Sequence, residues 1–210
     1  MPRVLNCSGL SGCNLRDRGE GFMKSKNFFP VLIFIMFISG CENVTSQYLV
    51  GQKPHAVKTE EWAGEWSPDG SGEEIIKIKV LDKDRGILDV AQIEAGSGKV
   101  LDSYECYLRE AGNWIFANAA IKGKNGFYPV RVKNIEGRQI IVWFPDPEKF
   151  KPLVFERKVL PGEWRGYDIS LGLLKPEQLD LIISGKEGVL FKWDEPGVLI
   201  RHGKTAMPQN

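Results

Sequence analysis

The sequence predicts a mainly β domain: an antiparallel meander of about eight strands, with a short C-terminal helix and hairpin. Three observations lead to this fold class. Glycine is frequent, with 23 copies in 210 residues. Amphipathic runs of helical length are scarce, and short segments with an apolar residue at every second position recur at regular spacing. Hydrophobic residues make up 42% of the chain and charged residues 26%, which is typical of a globular protein.

The predicted strands follow one another with tight turns between them. In the second strand Ile76 and Ile78 alternate with Lys77 and Lys79, so one face is apolar. An Asn-Gly pair at 125–126 is a strong hairpin signal. Closing a meander into a barrel removes both sheet edges, so a barrel is expected, with an open β-sandwich as the alternative. The eight segments are residues 61–66, 75–81, 87–93, 100–109, 114–121, 127–133, 138–144 and 153–158.

The pattern changes after residue 158. The segment from Pro176 to Gly185 has apolar residues at 179, 182 and 183. Proline at its start, glycine at its end and this helical spacing predict a short helix. Residues 189–193 and 198–201 are expected to form a hairpin. The sequence thus predicts a barrel-like domain over residues 60–158, an appendage over 159–202 that packs on it, and a tail over 203–210.

An export signal precedes the domain. Lys24 and Lys26 stand before an almost wholly apolar run over residues 28–38. This order of charge, apolar run and small residues is typical of a secretory signal, here residues 23–40. The run falls short of the roughly 20 apolar residues that a membrane-spanning helix needs. Residues 1–22 fit no part of a signal, and we interpret them as a doubtful upstream extension.

The end of this signal resembles the lipobox of bacterial lipoproteins, in the run Ile38-Ser39-Gly40-Cys41. The resemblance implies that Ile38, Ser39 and Gly40 are recognised, that the chain is cut before Cys41, and that Cys41 carries a diacylglyceryl group, usually with a further acyl chain. The family prefers Leu where this chain has Ile38. The alternative is an ordinary cleaved signal followed by a chance cysteine.

The lipobox resemblance also implies a location in the cell. In lipoproteins of double-membraned bacteria, Asp after the lipidated cysteine favours retention in the inner membrane, whereas this chain has Glu42. The outer membrane, with the domain facing the periplasm, is therefore expected over the inner membrane. Residues 41–59 are polar, contain Gly51 and Pro54, and are predicted to form a flexible tether.

The first predicted strand contains Gly64-Glu65-Trp66. Gly-x-Trp on the first strand resembles the lipocalin and wider calycin-like families, in which the tryptophan packs across the closed end of the barrel. The resemblance implies a lipocalin-like barrel. The same three-residue pattern occurs again at 112–114 and 162–164, so its specificity is low.

The charge balance and the positions of the histidines and of Cys106 argue against several function classes. The chain carries 28 basic and 27 acidic residues; five basic and two acidic ones precede Cys41, which leaves 23 and 25 in the mature part. This balance does not indicate a nucleic-acid partner. His55 and His202 have no ligand neighbours at metal spacing and are interpreted as exposed bystanders. Cys106 lies on an apolar strand face and is predicted to be a buried, reduced core residue. No metal, cofactor or catalytic residue is predicted.

Six tryptophans are the remaining candidates for a site, because aromatic rings both fill cores and contact ligands. Asp89, Glu94, Asp102 and Glu105 lie on neighbouring predicted strands but are expected to be solvated. The prediction is a non-enzymatic lipoprotein of the cell envelope that binds an envelope component or a partner protein. The alternatives are a structural or assembly role at the outer membrane and an envelope hydrolase. The tryptophans considered as ligand or core aromatics are Trp62, Trp66, Trp114 and Trp143.

Overall fold

The computed structural model describes residues 43–68 and 74–202. The upstream extension, the signal segment, Cys41 and the predicted tail lie outside the described residues. Within the part of the chain that is described, no helix is both long and apolar enough to cross a membrane.

Twelve strands and three α-helices make up the described residues. In chain order the strands are β1 (Val44–Ser46), β2 (Lys53–Pro54), β3 (Gly64–Ser67), β4 (Glu74–Asp82), β5 (Ile87–Glu94), β6 (Val100–Ala111), β7 (Trp114–Ala120), β8 (Phe127–Ile135), β9 (Gln139–Trp143), β10 (Gly162–Arg165), β11 (Asp168–Leu171) and β12 (Gly197–Arg201). The helices are α1 (Thr59–Trp62), α2 (Pro147–Lys151) and α3 (Pro176–Ser184), and a π-helical turn, Pro152–Glu156, follows α2 directly.

Eight of these strands form a closed antiparallel barrel. Each strand from β3 to β9 pairs with the next along the chain. Strand β12 then closes the barrel, because Val198 pairs with Ile141 of β9 and Ile200 pairs with Ser67 of β3. The predicted mainly β class and the meander of about eight strands are confirmed, and the open β-sandwich is excluded.

Strand alternation produces two separate cores. Inward-facing residues such as Ile76 and Leu108 are fully buried inside the barrel. Outward-facing Phe116 is also fully buried, because the 144–196 segment and the chain around Val44 and Val50 cover the outer wall there. The barrel therefore has an inner core and, on one side, an outer core.

The strand expected over residues 153–158 is wrong, because this segment is helical. Asp146 caps α2 by accepting a hydrogen bond from the Glu148 amide at 3.1 Å, and Pro147 occupies its first turn. The following π-helical turn buries Leu153 and Val154 together in the outer core. Adjacent residues of a strand would face opposite sides, so burial of both suits a helix. The first strand also begins later than expected, since residues 59–62 are α1.

The C-terminal hairpin expected from residues 189–193 and 198–201 is also wrong. Phe191 forms only an isolated bridge with Pro145, whereas β12 enters the barrel. The edges of β3 and β9 would otherwise stay unpaired, and β12 satisfies both. The barrel therefore extends beyond the predicted 60–158 unit. The predicted helix is confirmed as α3, which ends at Gly185 with a φ of +66°.

The flexible tether expected up to residue 59 is wrong for residues 43–59. Strand β1 is buried and pairs in parallel with β11. Val50 exchanges two hydrogen bonds with the buried side chain of Asn118, at 2.8 and 3.1 Å. Polar composition suggested a solvated segment, but here the polar groups are paired with the barrel wall.

Candidate ligand-binding cavity

The barrel interior is hollow. A cavity of about 140 Å³ lies between the eight strands, and its walls are almost wholly apolar. The walls exist because each strand directs every second side chain inward, and on these strands nearly all of those side chains are aliphatic. Residues that line it include Ile76, Leu88, Leu108, Val130, Val132 and Leu199.

One end of the barrel is closed by Trp66 and its neighbours. Trp66 has no exposed surface, and its indole nitrogen donates to the carbonyl of Trp62 at 3.1 Å. The guanidinium of Arg201 lies over the Trp66 ring, 4.9 Å from its centre, and donates to the carbonyls of Glu60 and Ala63. These contacts join the first elements of the barrel in the sequence, α1 and β3, to its last strand, β12.

Polar side chains gather at the opposite end of the cavity, which we call the rim and define by Glu74, Tyr104 and Tyr128. Gln92 donates to Glu74 at 2.8 Å. The Tyr104 hydroxyl donates to Asp102, which also forms an ion pair with Lys122.

Burial is the main cause that raises the pKa of Tyr104, and the hydrogen bond to Asp102 raises it further. Burial also raises the pKa of Tyr128, and the carboxylate of Asp168 adds to this. Both phenols therefore stay neutral at physiological pH. The chamber is apolar along its length and polar at the rim.

Cys106 lines the cavity wall as a buried free thiol, 6% exposed. Burial raises its pKa from 9.0 to about 12. A thiol with so little thiolate is a poor nucleophile. The predicted burial of Cys106 is confirmed.

The predicted aromatic residues fall into two groups. Trp62 and Trp66 come together at the closed end, although Trp62 belongs to α1 and not to the strand on which the sequence placed it. Trp62 also contacts the cavity. Trp114 and Trp143 face outward and pack against the outer core, away from the cavity. They are brought together by Arg131.

Arg131 lies between three tryptophan rings on the outer wall. Its guanidinium carbon is 4.0 Å from the ring centre of Trp114, 4.3 Å from Trp193 and 4.7 Å from Trp143. Its Nε and Nη1 atoms are buried without a hydrogen-bond partner among the described residues. Burial lowers its pKa. The stacked rings compensate this desolvated charge and fasten the segment that carries Trp193 to the barrel.

The carboxylates singled out from the sequence do not converge. Asp89 and Glu105 lie opposite each other on β5 and β6, in alternation with inward-facing Leu88 and Cys106, and so face outward. Glu94 accepts a hydrogen bond from Ser97 at the end of β5. Asp102 is held beside the rim as described above. Within residues 43–68 and 74–202, no three His, Cys, Asp or Glu side chains are grouped to hold a metal ion.

His55 is not the exposed bystander that the sequence suggested. Its Nδ1 lies 3.0 Å from the carboxylate of Glu110, which also pairs with Lys53 at 2.7 Å. The hydrogen bond from Lys53 is the largest cause that lowers the pKa of Glu110, and the hydrogen bond with His55 is the next. The group fastens the β2 segment to β6.

Sequence reasoning missed the rim. The alternation that places Cys106 inward also places Tyr104 inward, and the same period on β8 places Tyr128 beside Val130, so strand parity could have identified both tyrosines. Arg131 lies directly opposite Trp143 across β8 and β9, and Trp114 is on the other neighbouring strand, β7. The register of adjacent strands could therefore have brought these three together, whereas Trp193 comes from a distant part of the chain.

Comparison of the chain with protein-family models, with curated protein sequences and with solved structures gave no match.

Proposed function

We propose that this chain is a non-enzymatic, lipid-anchored protein of the bacterial cell envelope that holds an apolar ligand, such as an acyl chain, inside its barrel. The observation that carries the proposal is the apolar cavity with its polar rim. The Ile38-to-Cys41 run supports the anchor, and Glu42 supports the outer membrane as its location.

The cavity favours an apolar occupant over water. A buried water needs two to four polar partners, and the aliphatic walls around Leu88 and Val132 provide none. Each methylene of a chain moved from water into such walls contributes about 0.8 kcal/mol. Four to six buried methylenes therefore supply roughly 3–5 kcal/mol. The rim side chains mark the end of the cavity at which the polar end of such a ligand would lie.

The cavity is tested by filling it. Ala119 lines the cavity, so Ala119→Phe places a ring where the ligand would lie. Ala91→Phe is the matched control, because Ala91 pairs with Lys77 and Ser103 on the outer face of β5. Binding of a fluorescent fatty acid, and its displacement by unlabelled acyl chains, is measured for each variant.

Ala119→Phe should weaken binding about tenfold or more, or ~1.4 kcal/mol, while Ala91→Phe and the parent protein behave alike. Both variants should keep the parent's circular dichroism. If the parent does not bind the probe, or Ala119→Phe binds it as well as the parent, the barrel does not hold the ligand.

The anchor is tested separately by mass. Protein purified from membranes should begin at Cys41 with acyl groups attached. Cys41→Ser should lose that mass and accumulate as precursor, whereas Cys106→Ser, the matched change of a thiol, should be processed normally. A mature chain that begins elsewhere, with an unmodified thiol at Cys41, would refute lipidation. Glu42→Asp should move the protein from the outer to the inner membrane fraction.

A further inference from the structure

The β10–β11 hairpin exposes aromatic side chains at its tip. Arg165 pairs with Asp168, so Gly166 and Tyr167 form a two-residue turn in which Gly166 has a φ of +66°. Tyr167 is 72% exposed and Trp164 is 41% exposed. Strand β10 lies at the edge of the extended sheet, and all four of its residues are exposed.

The Trp164 ring is held in place. It packs on Phe155 with 5.2 Å between ring centres, and the ammonium group of Lys151 lies 5.0 Å from its centre. Its indole nitrogen donates to the carbonyl of Gly166. The structure thus presents a fixed aromatic surface with a cation beside it.

The strand register brings the start of the mature chain to the same place. Strand β1 runs parallel to β11, with Val44 opposite Ile169, and the Ile169 amide donates to the Asn43 carbonyl at 2.8 Å. Going backward along β1 therefore leads toward the hairpin tip. Cys41 precedes Asn43 by two residues in the sequence, a separation that spans about 7 Å in a fully extended chain.

We infer that the β10–β11 tip, through Trp164 and Tyr167, inserts into the headgroup layer of the membrane to which Cys41 is anchored. The inference rests on the proposed lipidation of Cys41 and adds a second, protein-made contact with the same lipid surface.

The chemistry of the tip suits this occupant. Tryptophan and tyrosine are enriched at membrane interfaces because their rings are apolar and their N–H or O–H groups remain near water. Lys151 adds attraction to anionic headgroups. An acyl anchor tolerates many orientations of the domain, whereas a second contact selects one.

The test measures the depth of two labelled positions in the full-length acylated protein. Tyr167→Cys carries an environment-sensitive fluorophore at the tip. Leu81→Cys is the matched control, because Leu81 is also apolar and 57% exposed, and its strand β4 lies four strands away from β8, to which β1 and the hairpin attach. The parent protein reports any labelling of its own thiols. Each protein is reconstituted in vesicles of phosphatidylethanolamine and phosphatidylglycerol, with or without lipids that carry a short-range quencher.

The label at 167 should shift to shorter emission wavelength and lose about half its intensity with quencher lipids, and the label at 81 should do neither. Trp164→Ser in the Tyr167→Cys background should reduce this quenching, because the ring that holds the tip in the headgroup layer is gone.

The other outcomes overturn the inference in distinguishable ways. Equal behaviour at 167 and 81, with the acyl mass present on Cys41, refutes the tip contact and leaves lipidation standing. A blue shift without lipid quenching shows that protein covers the tip. A protein without acyl mass removes the lipidation on which the inference rests.

Discussion

Trp66→Ala tests how the barrel is closed. Trp66 is wholly buried and holds Trp62 and Arg201 against the end of the barrel. Truncating a buried tryptophan to alanine costs about 3–5 kcal/mol through lost transfer energy and the cavity left behind. The substitution also removes the hydrogen bond to the Trp62 carbonyl and the ring under Arg201, each worth about 1 kcal/mol. We therefore expect a loss of roughly 5–7 kcal/mol in the free energy of unfolding.

Urea denaturation followed by circular dichroism measures this loss. With a slope near 2 kcal/mol per molar urea, the midpoint should fall by about 2.5–3.5 M. Trp66→Phe should lie between, because it keeps a ring under Arg201 but loses the indole N–H group. Glu65→Ala is the control: Glu65 is exposed, and its ion pair with Lys77 at 3.6 Å is solvent-exposed, so the change should cost under about 1 kcal/mol.

Equal midpoint shifts for Trp66→Ala and Glu65→Ala would contradict a role of Trp66 in closing the barrel. A more informative contradiction would be a Trp66→Ala variant that unfolds like the parent but no longer binds the fatty-acid probe. Trp66 would then belong to the ligand site and not to the closure of the barrel.

Three further changes follow from the packing. Cys106 should resist a polar thiol reagent at pH 8 until urea unfolds the protein. Because burial raises its pKa to about 12, its contribution to stability should be complete below pH 9 and be lost as the pH rises toward 12, a loss that Cys106→Val should abolish. Arg131→Lys should lower stability by about 1–2 kcal/mol in urea, because an ammonium group cannot stack as a flat guanidinium does. Gly86→Ala should destabilise strongly, since the added Cβ would lie 2.3 Å from the His55 carbonyl at a φ of +62°; Gly96→Ala, also at positive φ but in open space, measures the backbone strain alone, and equal thermal midpoints for the two would contradict the clash.

Much of the barrel was readable from the sequence, because its information is local. Period-two alternation, as in Ile76 and Ile78, and turn residues, as at 125–126, predicted all eight barrel strands to within a few residues, although residues 198–201 were expected to pair in a hairpin and not in the barrel. The same alternation placed Cys106 inside. Alternation and turns depend on neighbours within a few positions of the chain. The resemblance of Gly64-Glu65-Trp66 to the calycin-like families implied that Trp66 packs across one end of a barrel, and Trp66 is buried.

Only the tertiary structure decided where the segments before β3 and after β9 pack. The apolar run at residues 153–155 suits a strand or a helix equally. The capped start at Asp146, together with burial in the outer core, selected the helix. Strand β12 and the polar segment around Val44 could not be placed from the sequence, because their partners, β3 and β11, are more than 120 residues away. The contact of Trp193 with Arg131 and the pairing of the hairpin with the segment around Val44 have the same cause. Each joins segments that are far apart in the sequence, and the cavity exists only once the barrel has closed.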